Sequence, residues 1–159
     1  MDKPTLFQRF RQILEERLHA VEASIADTRA GMRVDGCFRP ENRGERAAVT
    51  AQGYLAAGLN RRAADIRTAL DLLGQVDPGP RDQVAAGALV TLADEHGQER
   101  SYLLLPGGQG DPLAGPEGAL TVISPSSPLA RALRGRSEGD EAQLEQDGRR
   151  VSMEIVRLR

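Results

Sequence analysis

Residues 5–30 contain neither glycine nor proline, and the same kind of side chain returns along them every seven positions. Phe7, Leu14 and Val21 recur at that interval with Thr28 next, and Leu18, Ile25 and Met32 form a second line whose first place is taken by Arg11. Steps that alternate between four and three put both lines on one side of a helix, the spacing of a coiled coil. Glu15, Glu16, Arg17 and Glu22 fall mostly off that seam. A strand of this length is implausible, so the pattern predicts an amphipathic helix over residues 4–32.

Glycines at 31, 36 and 44 and Pro40 interrupt the pattern, and Pro40 disfavours helix at Arg39. From about Glu45 the helical period returns. Leu59, Ile66 and Leu73 recur at seven, and Ala56, Ala63 and Leu70 supply the partner line. Gly74 and Pro78 end it. Two helices of similar length around a short break predict an antiparallel hairpin. With roughly 28 residues per arm and about 1.5 Å rise per residue, it would be about 40 Å long.

Asp77-Pro78-Gly79-Pro80 reads as a linker, and the period changes after it. Residues 87–93, 101–105 and 119–124 are apolar runs of strand length, with Asp94-Glu95-His96-Gly97 as a turn between the first two. Residues 106–118, rich in glycine and proline, read as a long mobile loop. Residues 142–145 and 151–158 flank Asp147-Gly148, a hairpin signal. Val151, Met153 and Ile155 alternate with polar residues, which gives that strand one core face.

Composition narrows the class. The 159 residues suit one domain or two small ones, and with 3% aromatics and no Trp the core must be aliphatic. A net charge of −2 gives no general attraction to nucleic acid or anionic membrane. Cys37 is alone, so no internal disulfide forms, and no apolar run near 18 residues or signal-peptide pattern is present. A soluble cytoplasmic protein without a membrane partner is the expectation. His19 and His96, far apart, with one Cys, lack the ligands of a zinc site. Gly107-Gly108-Gln109-Gly110 has no helix after it, which excludes a nucleotide loop, and Arg61-Arg62 reads as a solvated helix face. Only Lys3 among the basic residues is lysine, and composition gives it no role.

The most distinctive stretch is Ile123-Ser124-Pro125-Ser126-Ser127-Pro128-Leu129-Ala130-Arg131-Ala132-Leu133-Arg134-Gly135, followed by Gly139-Asp140. Ser127 can cap a helix, Pro128 suits its first position, Leu129 and Leu133 share a face, and Gly135 can end it. This pattern resembles the C-terminal domain of bacterial Gre transcription factors. A second segment carries the resemblance further: Glu41-Asn42-x-x-Glu45-x-Ala47-Ala48-x-x-x-Gln52-Gly53-Tyr54-Leu55 is similar to the start of the second Gre helix. The resemblance implies an α+β protein: an N-terminal antiparallel coiled-coil finger over residues 1–76, a linker at 77–82, and an FKBP-like, strand-rich domain with one short helix over 83–159. It also implies binding to core RNA polymerase, with the finger in the secondary channel near the RNA 3′ end. Ser126, Ser127, Pro128 and Leu129 match the surface that grips the channel rim.

Cleavage-active Gre proteins carry an Asp-Leu-x-Glu-Asn tip, whose two carboxylates complete the shell of a weakly held second Mg²⁺ in the polymerase. Here the corresponding residues are Phe38-Arg39-Pro40-Glu41-Asn42. Glu41 and Asn42 match, but Phe38 cannot ligate a cation and Arg39 repels one. Asp35 is the nearest substitute carboxylate. From Arg33 to Arg46 four arginines outnumber Asp35, Glu41 and Glu45, an overall charge of +1. The expectation is a regulator without an active site or cofactor of its own, which occupies the channel and stimulates transcript cleavage weakly or not at all. Two alternatives stand beside it: a cleavage factor that lends Glu41 and Asp35 to the polymerase's Mg²⁺, and a coiled-coil scaffold for another partner.

Overall fold

The structure, a computed structural model, describes residues 2–32 and 42–159. Two helices come first, α1 (Lys3–Met32) and α2 (Arg43–Gln75). Six strands and one short helix follow: β1 (Leu89–Ala93), β2 (Glu99–Leu104), β3 (Gln109–Gly115), β4 (Gly118–Ile123), α3 (Pro128–Leu133), β5 (Glu141–Gln146) and β6 (Arg149–Leu158). This is the α+β arrangement of a helical hairpin and a strand-rich domain with one short helix. The chain divides into two compact units, one of Gln12–Ala69 and one of Met1–Arg11 with Leu70–Arg159.

In the first unit, Leu14, Val21 and Ile25 of α1 and Ala63, Ile66 and Ala69 of α2 are buried. Arg67 Nη2 meets Glu22 Oε1 at 2.6 Å across the two helices. Arg11 Nη2 lies 3.6 Å from the place a Cβ on Gly74 would occupy, so the α2 partner rises from 67 to 74 as the α1 partner falls from 22 to 11, which is antiparallel pairing. Heptad spacing holds in the middle of α1 but drifts at its start. Phe10 is fully buried where the strict repeat puts Arg11, and Leu6 is equally buried. A straight helix turns every 3.6 residues, so a strict repeat of seven slips around it. Gly31 and Gly44 do not interrupt the helices as expected; each lies within a terminal turn, and α2 starts at Arg43.

In the second unit the sheet order is β3-β4-β2-β1-β6-β5, with β2 and β4 parallel and every other pair antiparallel. All of Leu89, Val90, Thr91 and Leu92 in β1 are buried, so both faces of the sheet are covered. One face carries Val90, Leu92, Leu104, Ile123 and Ile155, packed with Ala130 and Leu133 of α3 and with Val84. The opposite face holds Leu89, Leu103, Leu120 and Val122, in register across three strands. The same unit contains the start of α1, where Leu6, Phe7 and Phe10 are buried.

Two expectations for this region change. Residues 106–118 are not one long loop: β3 pairs with β4 through the tight turn at Pro116-Glu117. The strand was hidden because Pro112 and Gly110 read as breakers. Pro112 is tolerated on the outermost strand, and the register shifts between Gln109 and Asp111, around Gly110. In β6 the alternation also fails at one point. Leu92 pairs with Ile155 but Thr91 with Arg157, so Val156 is a bulge residue. The extra residue returns Leu158 to the core face shared by Met153 and Ile155, and keeps Arg157 off it. The Asp147-Gly148 turn forms as the sequence suggests, with φ of 53° and 72°.

Candidate functional site

The site begins where β4 leaves the sheet. Ser124 Oγ and Ser126 Oγ share a hydrogen bond at 2.7 Å, and the Ser126 N–H donates to Ser124 Oγ at 3.2 Å. The Ser127 N–H then donates to the Ser124 carbonyl at 2.9 Å, closing a turn. Ser127 is extended, with φ −63° and ψ 153°, and its Oγ accepts from the Ala130 N–H at 3.2 Å. Pro128 follows at the first helical position, where its missing N–H leaves nothing unsatisfied.

Packing holds α3 in place. Ala130 and Leu133 are buried to within 1% and rest on the sheet, while Leu129 packs at the margin. Leu129 and Leu133 therefore face the same cluster, as their spacing implies, and Ala130 is buried with them. Gly135 ends the helix with φ 73°, and its N–H donates to the Val84 carbonyl at 3.0 Å. Arg136 bonds the Ala132 carbonyl at 3.0 Å and the Glu141 carbonyl at 2.7 Å, which ties the helix end to β5. Asp140 Oδ2 accepts from the Ser137 N–H at 2.7 Å.

Ser126 and Pro128 are exposed, as are Arg131 and Arg134, and Ser127 and Leu129 are half-buried. The four residues singled out from the sequence therefore divide by role. Ser127 and Leu129 hold the helix, and Ser126 and Pro128 present its leading edge. Beside them a cleft of about 210 Å³ is lined by Val84, Ala85, Ala86, Leu104, Pro125, Ala130 and Arg134. The sequence reading missed Val84, Ala85 and Ala86. They lie some 40 positions before α3, and no local motif marks them. The Ser124 and Ser126 hydroxyls bond each other at the start of this edge.

Of the candidate tip residues only Asn42 is described. Its Oδ1 accepts from the Glu45 N–H at 2.9 Å and its carbonyl from the Arg46 N–H at 3.2 Å, so it caps α2. The spacing Asn-x-x-Glu before a helix was a readable signal for that role. Asp35, Phe38, Arg39, Pro40 and Glu41 lie outside the described residues. Among the described residues no three His, Cys, Asp or Glu side chains group to hold a metal ion. No helix there is long and apolar enough to cross a membrane.

The chain is thus a protein of two units: a helical hairpin, and a six-stranded domain whose short capped helix is flanked by arginines. The family described as "Transcription elongation factor, GreA/GreB, C-term" matches residues 79–159. The transcription elongation factor GreA of Desulfovibrio desulfuricans is 33% identical over 156 residues, covering 96% of this chain and 91% of that protein. That of Brucella canis is 30% identical over 156 residues, covering 98% and 94%. The solved structure of GreA factor homolog 1 (Gfh1) of Thermus thermophilus aligns over 99% of this chain and 94% of its own, at 17% identity and a TM-score of 0.40. The chain belongs to the GreA/GreB family.

Proposed function

We propose that this protein binds RNA polymerase, enters its secondary channel with the α1–α2 hairpin, and modulates transcription while stimulating transcript cleavage weakly or not at all. Similarity to elongation factors along nearly the whole chain supports the binding. The observation that carries the cleavage reading is the sequence Phe38-Arg39 at the tip, where an anionic oxygen donor is needed. A phenyl ring offers no ligand to Mg²⁺, and a guanidinium beside it opposes the cation. Glu41 alone would remain to ligate the second ion. Ser126 and Pro128, with Arg131 and Arg134 behind them, form the proposed rim contact, and Ser127 and Leu129 act by holding that edge in shape.

The test is RNA cleavage in backtracked elongation complexes at several Mg²⁺ concentrations, with binding measured in the same samples. Binding without cleavage is expected. Brisk cleavage that Glu41→Ala abolishes would overturn the weak-cleavage reading, with Asp35→Ala next to be tried. Failure to bind core polymerase would leave the scaffold alternative. At the rim, Pro128→Asn should weaken polymerase binding about tenfold while the melting temperature stays within a few degrees, since Asn is tolerated at an exposed helix start.

A further inference from the structure

Every basic side chain except one is arginine or histidine, and the exception is Lys3. It sits in the first turn of α1, half-buried, and its Nζ donates to the Gly79 carbonyl at 2.6 Å. That carbonyl belongs to a braced turn. Asp77 Oδ1 accepts from the Gly79 N–H at 2.9 Å, and Arg81 Nη2 donates to the Asp77 carbonyl at 3.0 Å. Arg81 lies close enough to repel the ammonium, and the Asp77 carboxylate attracts it. Arg81 also keeps a buried Nε that has no acceptor among the described residues. A flexible amine, held beside a second cation and partly out of water, is an unusual setting for a lysine.

We propose that Lys3 is an acylation site, whose neutral Nζ accepts an acyl group from an acyl phosphate. In the reaction the Nζ lone pair forms a C–N bond to the acyl carbon. The acyl C–O bond to phosphate breaks, phosphate leaves with that electron pair, and the amine proton passes to water. Arg81 supplies positive charge where the phosphate departs. The setting also favours the reactive form. Burial foremost, and Arg81 next, lower the lysine from 10.5 to about 8, against the opposing pull of Asp77. At pH 7.5 roughly a quarter of the amine is then neutral, against about a thousandth for an ordinary lysine. Acylation removes the charge that reaches Gly79 and so slackens the tie between α1 and the turn.

A single lysine makes the experiment direct. The folded full-length chain is treated with acetyl phosphate at pH 7.5, and the modification rate at Lys3 is read by peptide mass spectrometry, apart from any at the α-amino group. The references are the same chain in urea and an N-terminally blocked peptide of its first residues. Lys3 in the folded chain should react about tenfold faster than either reference, less than the gain in neutral amine because a less basic amine is a weaker nucleophile. The advantage should vanish between about pH 9 and 10 and reverse near 10.5, where about half of the reference amine is neutral and is the stronger nucleophile. Arg81→Gln should slow the folded chain toward the peptide rate. A folded rate at pH 7.5 equal to or below that of the references overturns the proposal, because the Gly79 contact then shields the amine. If Arg81→Gln does not fold, the comparison with urea still decides.

Discussion

Ser127 and Lys3 show how far one residue can be read before the fold is seen. Ser127 precedes a proline and an apolar pair, so its capping role was visible, and its Oγ does accept the Ala130 N–H. Ser127→Ala should lower stability by about 1 kcal/mol, the usual cost of losing a cap, measured by urea denaturation. Lys3 is the opposite case. Its partner lies 76 positions away, and no sequence period links them. Its lowered pKa makes a pH prediction. Between about 8 and the ordinary 10.5 the unfolded chain holds the extra proton. Stability from this group therefore rises across that window, and is lost as pH falls through 8. Melting curves of the parent and Lys3→Met should converge or cross in the parent's favour as pH rises from 7 to 10.5. Solvent screening at this half-buried group keeps the change near ~1 kcal/mol or below. At the hairpin tip, Phe38 and Arg39 are legible as chemistry without any fold, because ligand character belongs to the side chain.

Elements with one repeating environment were the most legible. The α1 period, the α2 period and the Asp147-Gly148 hairpin each state their geometry locally. β3 did not, because Pro112 and Gly110 are breakers everywhere except on an outer strand with a shifted register. The bulge at Val156 was equally silent, since alternation along β6 alone would place Arg157 on the core face. Gly108 tests how tightly this region is built. A Cβ there would lie 2.6 Å from the Ile123 carbonyl carbon and 2.9 Å from its Cα, both backbone atoms that cannot rotate away. Gly108→Ala should cost about 1–3 kcal/mol and shift the urea midpoint down with little change in slope. The cation network of Arg157 with Glu99 and Glu117, and of Arg159 with Glu117, joins the β3–β4 turn to the end of β6. Its members are 40–53% exposed, so it orders the edge more than it stabilises it.

For the whole molecule, the break between helical and strand-rich residues was clear at Asp77-Pro78-Gly79-Pro80, but compactness follows another line. The unit that contains the sheet also takes in Met1–Arg11 and the end of α2. Leu6, Phe7 and Phe10, each at most 8% exposed, are buried there. Deleting residues 2–11 should therefore destabilise the strand-rich unit, by roughly 5–9 kcal/mol if three side chains lose about 1.5–3 each. Urea unfolding followed by near-ultraviolet signals from Tyr102 would show it, and an unchanged midpoint would mean the sheet stands without α1. What the sequence by itself determined was whatever a short window contains: two amphipathic helices, most of the strands, the capped start of α3, the family motifs and the character of the tip residues. Only the tertiary structure decided that β3 is a strand, that Leu158 returns to the core, that Val84 to Ala86 flank α3, and that Lys3 meets Gly79. Each of these joins residues distant in the chain or depends on which strand lies outermost. Such facts are set by packing between elements, and a local pattern has no means to express them.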